Sequence, residues 1–172
     1  MIVQRLSESD ANAWRARRCP AANPAFDLAA ARAAGAVIGS ESTEALPGVR
    51  LAFASRALLL CAGPEPRSTL IWVREWGVWE SSEHLPLYGA LIGDPGASHE
   101  ALVQHPGHGI DVDDQDQAIS LILLCLAFGW GFSIFHEGTS VVVHCNHDGI
   151  IWLSGGTTAQ AKALADAVFA TA

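Results

Sequence analysis

The feature that most constrains the fold is a long, uncharged apolar stretch from Ala118 to Phe135. Its length is near the lower limit of about 17 residues for a helix that spans a membrane. However, Gly129-Trp130-Gly131 divides the stretch, and no Lys/Arg cluster flanks it to set a membrane orientation. The stretch therefore predicts a central, buried helix followed by a buried strand.

The chain beyond this point alternates between short apolar runs and turn residues. This pattern predicts a meander of three strands over 132–136, 139–145 and 150–153. A final helix follows, because Thr157 and Gln160 have the spacing of a capping box.

The middle of the chain has short runs of β-like composition bounded by Pro and Gly. The runs at 49–54, 57–61 and 69–76 predict three further strands. Ser81-Ser82-Glu83 is expected to open a helix, and residues 97–112 have the composition of a loop.

The third of these runs alternates like a half-buried strand, so that each face carries one charged side chain among apolar neighbours. A buried carboxylate needs a partner, and we expect Glu75 to form a structural ion pair or hydrogen bond, for example with an arginine. The predicted faces are Trp72, Arg74 and Trp76 on one side and Ile71, Val73 and Glu75 on the other.

The first forty residues are rich in alanine. Ser7 or Ser9 can cap a short helix, and Asn23-Pro24 can open a second helix through Ala34. This region has a thinner hydrophobic pattern than the rest, which favours a peripheral position over the main core.

The order of predicted elements does not alternate as in a parallel βαβ protein. The sequence therefore predicts an α+β fold: an antiparallel sheet of about five to six strands, with helices packed on it and one central buried helix. We expect a single domain over 1–172, in which 1–45 form the helical peripheral layer and 46–172 the main core.

The net charge of the chain and the positions of its cysteines limit the classes of function that fit the sequence. The net charge is −8, from 18 acidic and 10 basic side chains, which disfavours nucleic acid as a ligand and favours a basic partner or simple solubility. The four cysteines lie far apart, and the N-terminus lacks the pattern of a signal peptide. We expect a cytoplasmic protein with reduced thiols, no cofactor and no membrane association.

Histidines occur in two closely spaced pairs. His105 and His108 lie three residues apart, as do His144 and His147, but neither pair has the helical spacing of a zinc enzyme. The sequence therefore predicts no metal site, with His105 and His108 as weak candidates. Cys145 cannot form a nucleophilic pair with His144, because adjacent residues of a strand point to opposite faces.

Several short motifs occur as a series between residues 69 and 153. They are Trp72-Val73-Arg74-Glu75-Trp76-Gly77-Val78-Trp79, Ser81-Ser82-Glu83, Leu87-Tyr88, His105-Pro106-Gly107-His108 and Gly129-Trp130-Gly131. This series resembles small bacterial immunity proteins of contact-dependent or type VI toxin systems, over about half of the chain. Where members of that family have a bulkier loop, this chain has Gly93-Asp94-Pro95-Gly96-Ala97-Ser98.

The resemblance implies a stoichiometric inhibitor that binds a cognate toxin domain and blocks its active site or its substrate path, and the acidic charge of the chain favours a basic toxin. The resemblance implies no catalytic residue. Two alternatives stay open: a small cytosolic enzyme that uses buried Glu and His, and a structural or adaptor domain. The aspartates among the candidate residues, which lie between 111 and 116, each have a simpler interpretation: they complement the dipole of the following helix. The candidate partner-binding residues are Arg74, Glu75, Trp76, Trp79, Glu80, Asp111, Asp113, Asp114 and Asp116.

Overall fold

The computed structural model of the chain describes residues 3–24, 26–33, 48–76, 84–94 and 96–169. These residues contain one antiparallel sheet of six strands in the order β1-β3-β2-β4-β5-β6. The strands are β1 (Gln4–Leu6), β2 (Thr69–Glu75), β3 (Gly107–Ile110), β4 (Gly131–His136), β5 (Val142–Cys145) and β6 (Ile151–Ser154).

Seven α-helices accompany the sheet in the described residues, so the α+β fold predicted from the sequence is confirmed. A short 3-10 turn, Val112–Asp114, leads into the sixth helix. The helices are α1 (Glu8–Arg18), α2 (Leu28–Ala33), α3 (Gly48–Leu60), α4 (His84–Ile92), α5 (His99–Gln104), α6 (Gln115–Ala127) and α7 (Thr158–Phe169).

The sheet has a hydrophobic cluster on each of its two sides. Residues that pair across neighbouring strands point to the same side and therefore belong to the same cluster. We call the side that carries Ile71, Phe132 and Val143 the helix face, since α3, α4, α5, α6 and α7 contribute to its cluster. The opposite side, which carries Trp72 and Phe135, is the N-terminal face, where α1 supplies Ala11 and Trp14. Two layers thus pack on opposite sides of one sheet, and the layer on the helix face is the thicker one.

Helix α6 is the central buried helix that the apolar stretch predicted. Its buried residues recur at helical spacing on the side that faces the sheet: Ala118, Leu121, Ile122, Cys125 and Leu126. None of the helices in the described residues is both long and apolar enough to cross a membrane.

Two predicted strands, 49–54 and 57–61, are wrong, because α3 occupies both runs. The buried residues Ala54, Ser55 and Leu58 fall at i, i+1 and i+4, which is helical spacing. No β-branched residue occurs in this segment after Val49, and its Ala and Leu content favours a helix.

The loop predicted for 97–112 is also wrong, because this segment contains α5 and β3. The hydroxyl of Ser98 caps α5 by accepting from the amide N–H of Ala101 at 3.3 Å. Gly107 serves close packing rather than a turn, since a Cβ atom there would lie 2.8 Å from the Cβ of Ala11. Glycines that resemble loop residues in the sequence therefore belong to a buried strand.

Near the two ends of the chain, the structure agrees better with the predictions made from the sequence. Ser7 caps α1 as predicted, but Asp27 caps α2 in place of Asn23-Pro24, by accepting from the amides of Ala29 and Ala30. The three-strand meander is confirmed as β4, β5 and β6. The capping box of α7 is confirmed as well, since Thr157 and Gln160 each accept from the other's amide N–H. The predicted helix opening at Ser81-Ser82-Glu83 lies outside the described residues.

Candidate functional site

A β-bulge at the end of β2 sets the orientation of the first candidate residues. The register with β4 shifts between Val73 and Glu75, so that Glu75 pairs with Gly131. The extra residue moves Glu75 to the N-terminal face and Trp76 to the helix face, where Trp76 makes an edge contact with Trp130 at 5.8 Å. The predicted grouping of Trp76 with Trp72, and of Glu75 with Val73, is therefore wrong.

Arg74 is half-buried on the N-terminal face. Its guanidinium lies over the ring of Trp72, 3.8 Å from the ring centroid, and its Nη2 donates to the carbonyl of Pro24 at 3.4 Å. Burial lowers the pKa of Arg74, with Arg15 lowering it further and Glu8 opposing the shift. No ion pair formed by the described residues includes Arg74. Among the described residues, this cation is therefore held by an aromatic ring and a carbonyl, and by no carboxylate.

Glu75 pairs with a histidine at the rim of the same face. Its Oε2 accepts from the backbone N–H of His147 at 3.0 Å and lies 3.0 Å from Nδ1 of the same residue. The expected structural hydrogen bond of Glu75 is confirmed, although the partner is a histidine rather than an arginine. The contact is an ion pair when the imidazole is protonated. The pair fixes the turn that follows β5 against the end of β2.

A row of side chains crosses four strands on the N-terminal face. Trp72, Ser133, His144 and Trp152 are successive cross-strand neighbours on β2, β4, β5 and β6. The hydroxyl of Ser133 lies 2.8 Å from Nδ1 of His144, and the imidazole stacks on Trp152 with centroids 5.1 Å apart. Phe26 packs against two members of the row: its ring centroid lies 5.8 Å from that of His144 and 5.1 Å from that of Trp152. Burial lowers the pKa of His144 to about 3, with Arg74 contributing.

This face also collects polar atoms that lack a hydrogen-bond partner among the described residues. Buried nitrogen atoms usually have such a partner, in protein or ordered water. The four atoms are Nε of Arg15, Nε of Arg74, Nε2 of His144 and Nε1 of Trp152.

The acidic candidates lie at the other end of β2. The segment 111–116 directly follows Ile110, which pairs with Thr69, the first residue of the strand. Glu75 is six residues further along β2, roughly 20 Å away. The structure therefore does not bring the two candidate surfaces together.

Three of the four acidic side chains are exposed, namely Asp111, Asp113 and Asp116. Neither Asp111 nor Asp114 makes a side-chain capping hydrogen bond. Trp79 and Glu80, the remaining partner-binding candidates, lie outside the described residues.

The weak metal candidates do not form a pair. His108 is fully buried on the helix face, where its Nε2 lies 2.6 Å from the hydroxyl of Tyr88, and burial lowers its pKa to about 4. His105 is the C-cap residue of α5. Within the described part of the chain, no group of three His, Cys, Asp or Glu side chains could hold a metal ion.

Cysteine chemistry is suppressed by burial. Cys145 lies on the helix face and His144 on the N-terminal face, as strand alternation predicted. Burial raises the pKa of Cys19 to about 11 and of Cys61 to about 12, and it raises the pKa of Cys125 and Cys145 as well. These thiols remain protonated near neutral pH. Cys19, Cys125 and Cys145 are buried core residues, and Cys61 is partly exposed at the edge of the helix-face cluster.

Sequence reasoning found Arg74 and Glu75 but missed most of the row beside them. The available signal was a polar residue within an apolar strand: Ser133 between Phe132 and Ile134, and His144 between Val143 and Cys145. A cross-strand register joins these two positions, and one sequence does not reveal that register. Comparison of the chain with protein-family models, with curated proteins and with solved structures found no match.

Proposed function

We propose that this chain is an immunity protein, which binds one cognate bacterial toxin in the cytoplasm and occludes its active site or its substrate path. The resemblance of the motif series at 69–153 to immunity proteins supports this proposal. An inhibitor of this kind needs a rigid fold and a complementary surface, and it needs no catalytic centre.

The observation that supports the proposal most directly concerns the carboxylates of the acidic segment 111–116 and their lack of ion-pair partners among the described residues. Most other acidic side chains with a described environment have an intramolecular partner, such as Asp94 with Arg5 at 3.0 Å and Glu137 with Arg18 at 3.0 Å. The carboxylates of 111–116 form no ion pair with any described residue. Val112, in the middle of the segment, is 41% exposed.

An unpaired acidic surface beside an exposed apolar side chain fits a basic partner. Many toxins that act on nucleic acid are basic, and the net charge of −8 favours encounter with such a protein. The dipole of α6 also favours carboxylates at this position. That interaction leaves the carboxylate oxygens accessible, because Asp111 and Asp114 do not use theirs to cap the helix.

The test is a pull-down of the tagged protein against the products of its neighbouring genes, read by mass spectrometry and followed by rescue from toxicity. We expect a one-to-one complex that restores growth. The absence of both a partner and rescue would contradict the proposal.

The acidic surface is tested separately with the variant Asp111→Asn/Asp113→Asn/Asp116→Asn. A matched control, Glu65→Gln/Glu100→Gln/Asp166→Asn, removes three carboxylates elsewhere. We expect the first variant to slow association by about tenfold or more and to weaken its salt dependence, with the control near wild type. Equal association rates for the two variants would place the interface elsewhere.

A further inference from the structure

Helices α3 and α7 lie side by side and form an open groove of about 260 Å³ between them. From α3 and the residue that follows it, Ala57, Leu60 and Cys61 line the groove, and the lining from α7 includes Ala163 and Ala167. These side chains are small or apolar, and several are exposed to solvent. Exposed apolar surface that forms a groove commonly marks a place where another molecule packs.

A large aromatic side chain projects from the same face. Phe53 is 62% exposed and Leu60 is 37% exposed, and with Ala57 they fall at i, i+4 and i+7, which places them on one stripe of α3. Phe53 lies one helical turn before Ala57 and does not line the groove of its own chain. A cavity of about 150 Å³ is enough to hold a benzene ring, so the groove is large enough for the ring of a phenylalanine. The face therefore presents both a ring and a groove that fits one.

The charges around the groove differ from those of the whole chain, whose net charge of −8 makes two copies repel each other on average. Helix α3 carries no carboxylate, and its exposed Arg56 forms no ion pair with any described residue. Helix α7 carries Lys162 and Asp166, whose side chains are 75% and 64% exposed. A second copy therefore offers the carboxylate of its Asp166 to Arg56, whereas a basic toxin would be repelled by the two cations.

We propose that the face formed by α3 and α7 binds a second copy of the chain, with Phe53 of each copy in the groove of the other. The contact is isologous, because the same surface serves both copies, as in dimers with two-fold symmetry. The acidic segment 111–116 contributes no residue to this groove. The dimer contact and the proposed toxin contact are therefore separate, and either stands without the other.

The size of the face determines how strong the dimer should be. Helices α3 and α7 contain 13 and 12 residues, so each is about 20 Å long and about 10 Å wide. Their shared outer face then covers about 400 Å², compared with roughly 800 Å² per partner in a stable complex. We therefore expect a weak dimer with a micromolar dissociation constant, which is a monomer at lower protein concentrations.

The experiment is sedimentation equilibrium of the full chain from micromolar to millimolar concentration. We expect the mass to rise from that of a monomer to that of a dimer. Phe53→Asp and Ala163→Glu change the two helices at exposed positions, and each should raise the dissociation constant by about tenfold or more. Val103→Asp is the matched control, since Val103 is 66% exposed on α5, and it should leave the dissociation constant unchanged.

A disulfide cross-link tests the position of Phe53 in the partner's groove. Residues 53 and 61 of one chain are eight positions apart, about 12 Å along a helix, which is too far for a disulfide within the chain. Oxidation of Phe53→Cys at millimolar concentration should therefore link it to Cys61 of a second copy. The variants Phe53→Cys/Cys61→Ser and Val103→Cys are the controls and should give little cross-linked dimer.

Two results would overturn the proposal. A monomer mass at every concentration would show that a second copy does not occupy this face, and would leave it to the toxin or to another partner. A dimer that neither Phe53→Asp nor Ala163→Glu weakens would show that the copies meet through another surface. Both results leave the toxin contact to be decided by the pull-down and the rescue from toxicity.

Discussion

The two faces of the sheet place neighbouring residues of the same strands in different surroundings. On β4, Phe132 and Ile134 enter an apolar cluster to which five helices contribute, whereas Ser133, between them, points to a row that contains His144 and Trp152. The helix face is stabilised by burial of apolar area, and its geometry follows from shape complementarity. The row on the N-terminal face depends in addition on the contact between Ser133 and His144, as His108 on the helix face depends on Tyr88.

The elements that pack on the two faces also differ in how many apolar residues they bury. Helix α6 buries five residues against the sheet, while α1 buries only Ala11 and Trp14. The segment before α2 is held by the backbone hydrogen bond from the N–H of Ala22 to the carbonyl of Cys19, by two longer bonds from Arg15 and Arg74, and by the ring contacts of Phe26. Regions with few buried apolar contacts open at lower free energy, so we expect the N-terminal face to open first. Sites that bind ligands are commonly found in such regions.

The largest expected effect is acid destabilisation by the buried histidines of both faces. Burial lowers the pKa of His108 and His136 to about 4 and that of His144 to about 3. The unfolded chain takes up these protons as pH falls through about 6.5, whereas the folded chain does not until pH reaches those lower values. The unfolded state therefore binds more protons in this window, and stability falls with decreasing pH by up to about 1.4 kcal/mol per pH unit for each histidine.

Urea denaturation at pH 7, 6 and 5 measures this loss. His108 and His136 lie on the helix face, since they pair with Ile71 and Thr69 of β2. His144→Gln therefore removes only the contribution of the N-terminal face, and we expect it to reduce the pH slope of the free energy of unfolding by about one third. A midpoint that does not change between pH 7 and pH 5 would show that the three histidines are accessible to protons in the folded state.

The next effect tests the helix face. Phe132 is fully buried in its cluster, and Phe132→Ala should lower the free energy of unfolding by about 3–5 kcal/mol, because it removes a large apolar side chain and leaves a cavity. Phe53→Ala is the matched control: Phe53 is 62% exposed, and its loss should change stability by less than about 0.5 kcal/mol. Similar effects of the two substitutions, measured by urea denaturation, would mean that the helix face is not the principal core.

Ser133→Ala makes the corresponding test one residue away on the N-terminal face. It leaves Nδ1 of His144 buried without its partner, and the expected loss is about 1–3 kcal/mol in the free energy of unfolding. Ser120→Ala, at an exposed position of α6, is the control and should be nearly neutral. A neutral Ser133→Ala would indicate that water replaces the hydroxyl, which would make the N-terminal face more open than the structure shows.

The sequence predicted those parts of the fold whose signals are local. The apolar stretch that became α6, the meander and the capping box of α7 each depend on residues close together in the chain. The segment at 49–61 was misassigned because a short run of apolar residues suits a buried strand and a helix alike. Its helical spacing matters only once α3 packs against α6 and α7, which are distant in sequence. Gly107 in β3 was misread because its reason, contact with Ala11, is distant in sequence.

The candidate site was less predictable than the fold. Arg74 and Glu75 were identified because charged residues in an apolar strand are conspicuous, but the bulge after Val73 reversed the predicted face of Glu75. Ser133 and His144 were not recognised as a pair, since strands β4 and β5 bring them together only through their register. Long-range pairing therefore determines this site, and local pattern does not encode it.

The smallest expected effect lies at the rim of the N-terminal face, where Glu75 contacts His147. Their side chains are 32% and 33% exposed, so solvent screens the ion pair. A double-mutant cycle with Glu75→Gln and His147→Gln should give a coupling free energy below about 1 kcal/mol, and added salt should reduce it. A larger coupling that is independent of salt would show that this rim is held as firmly as the buried row.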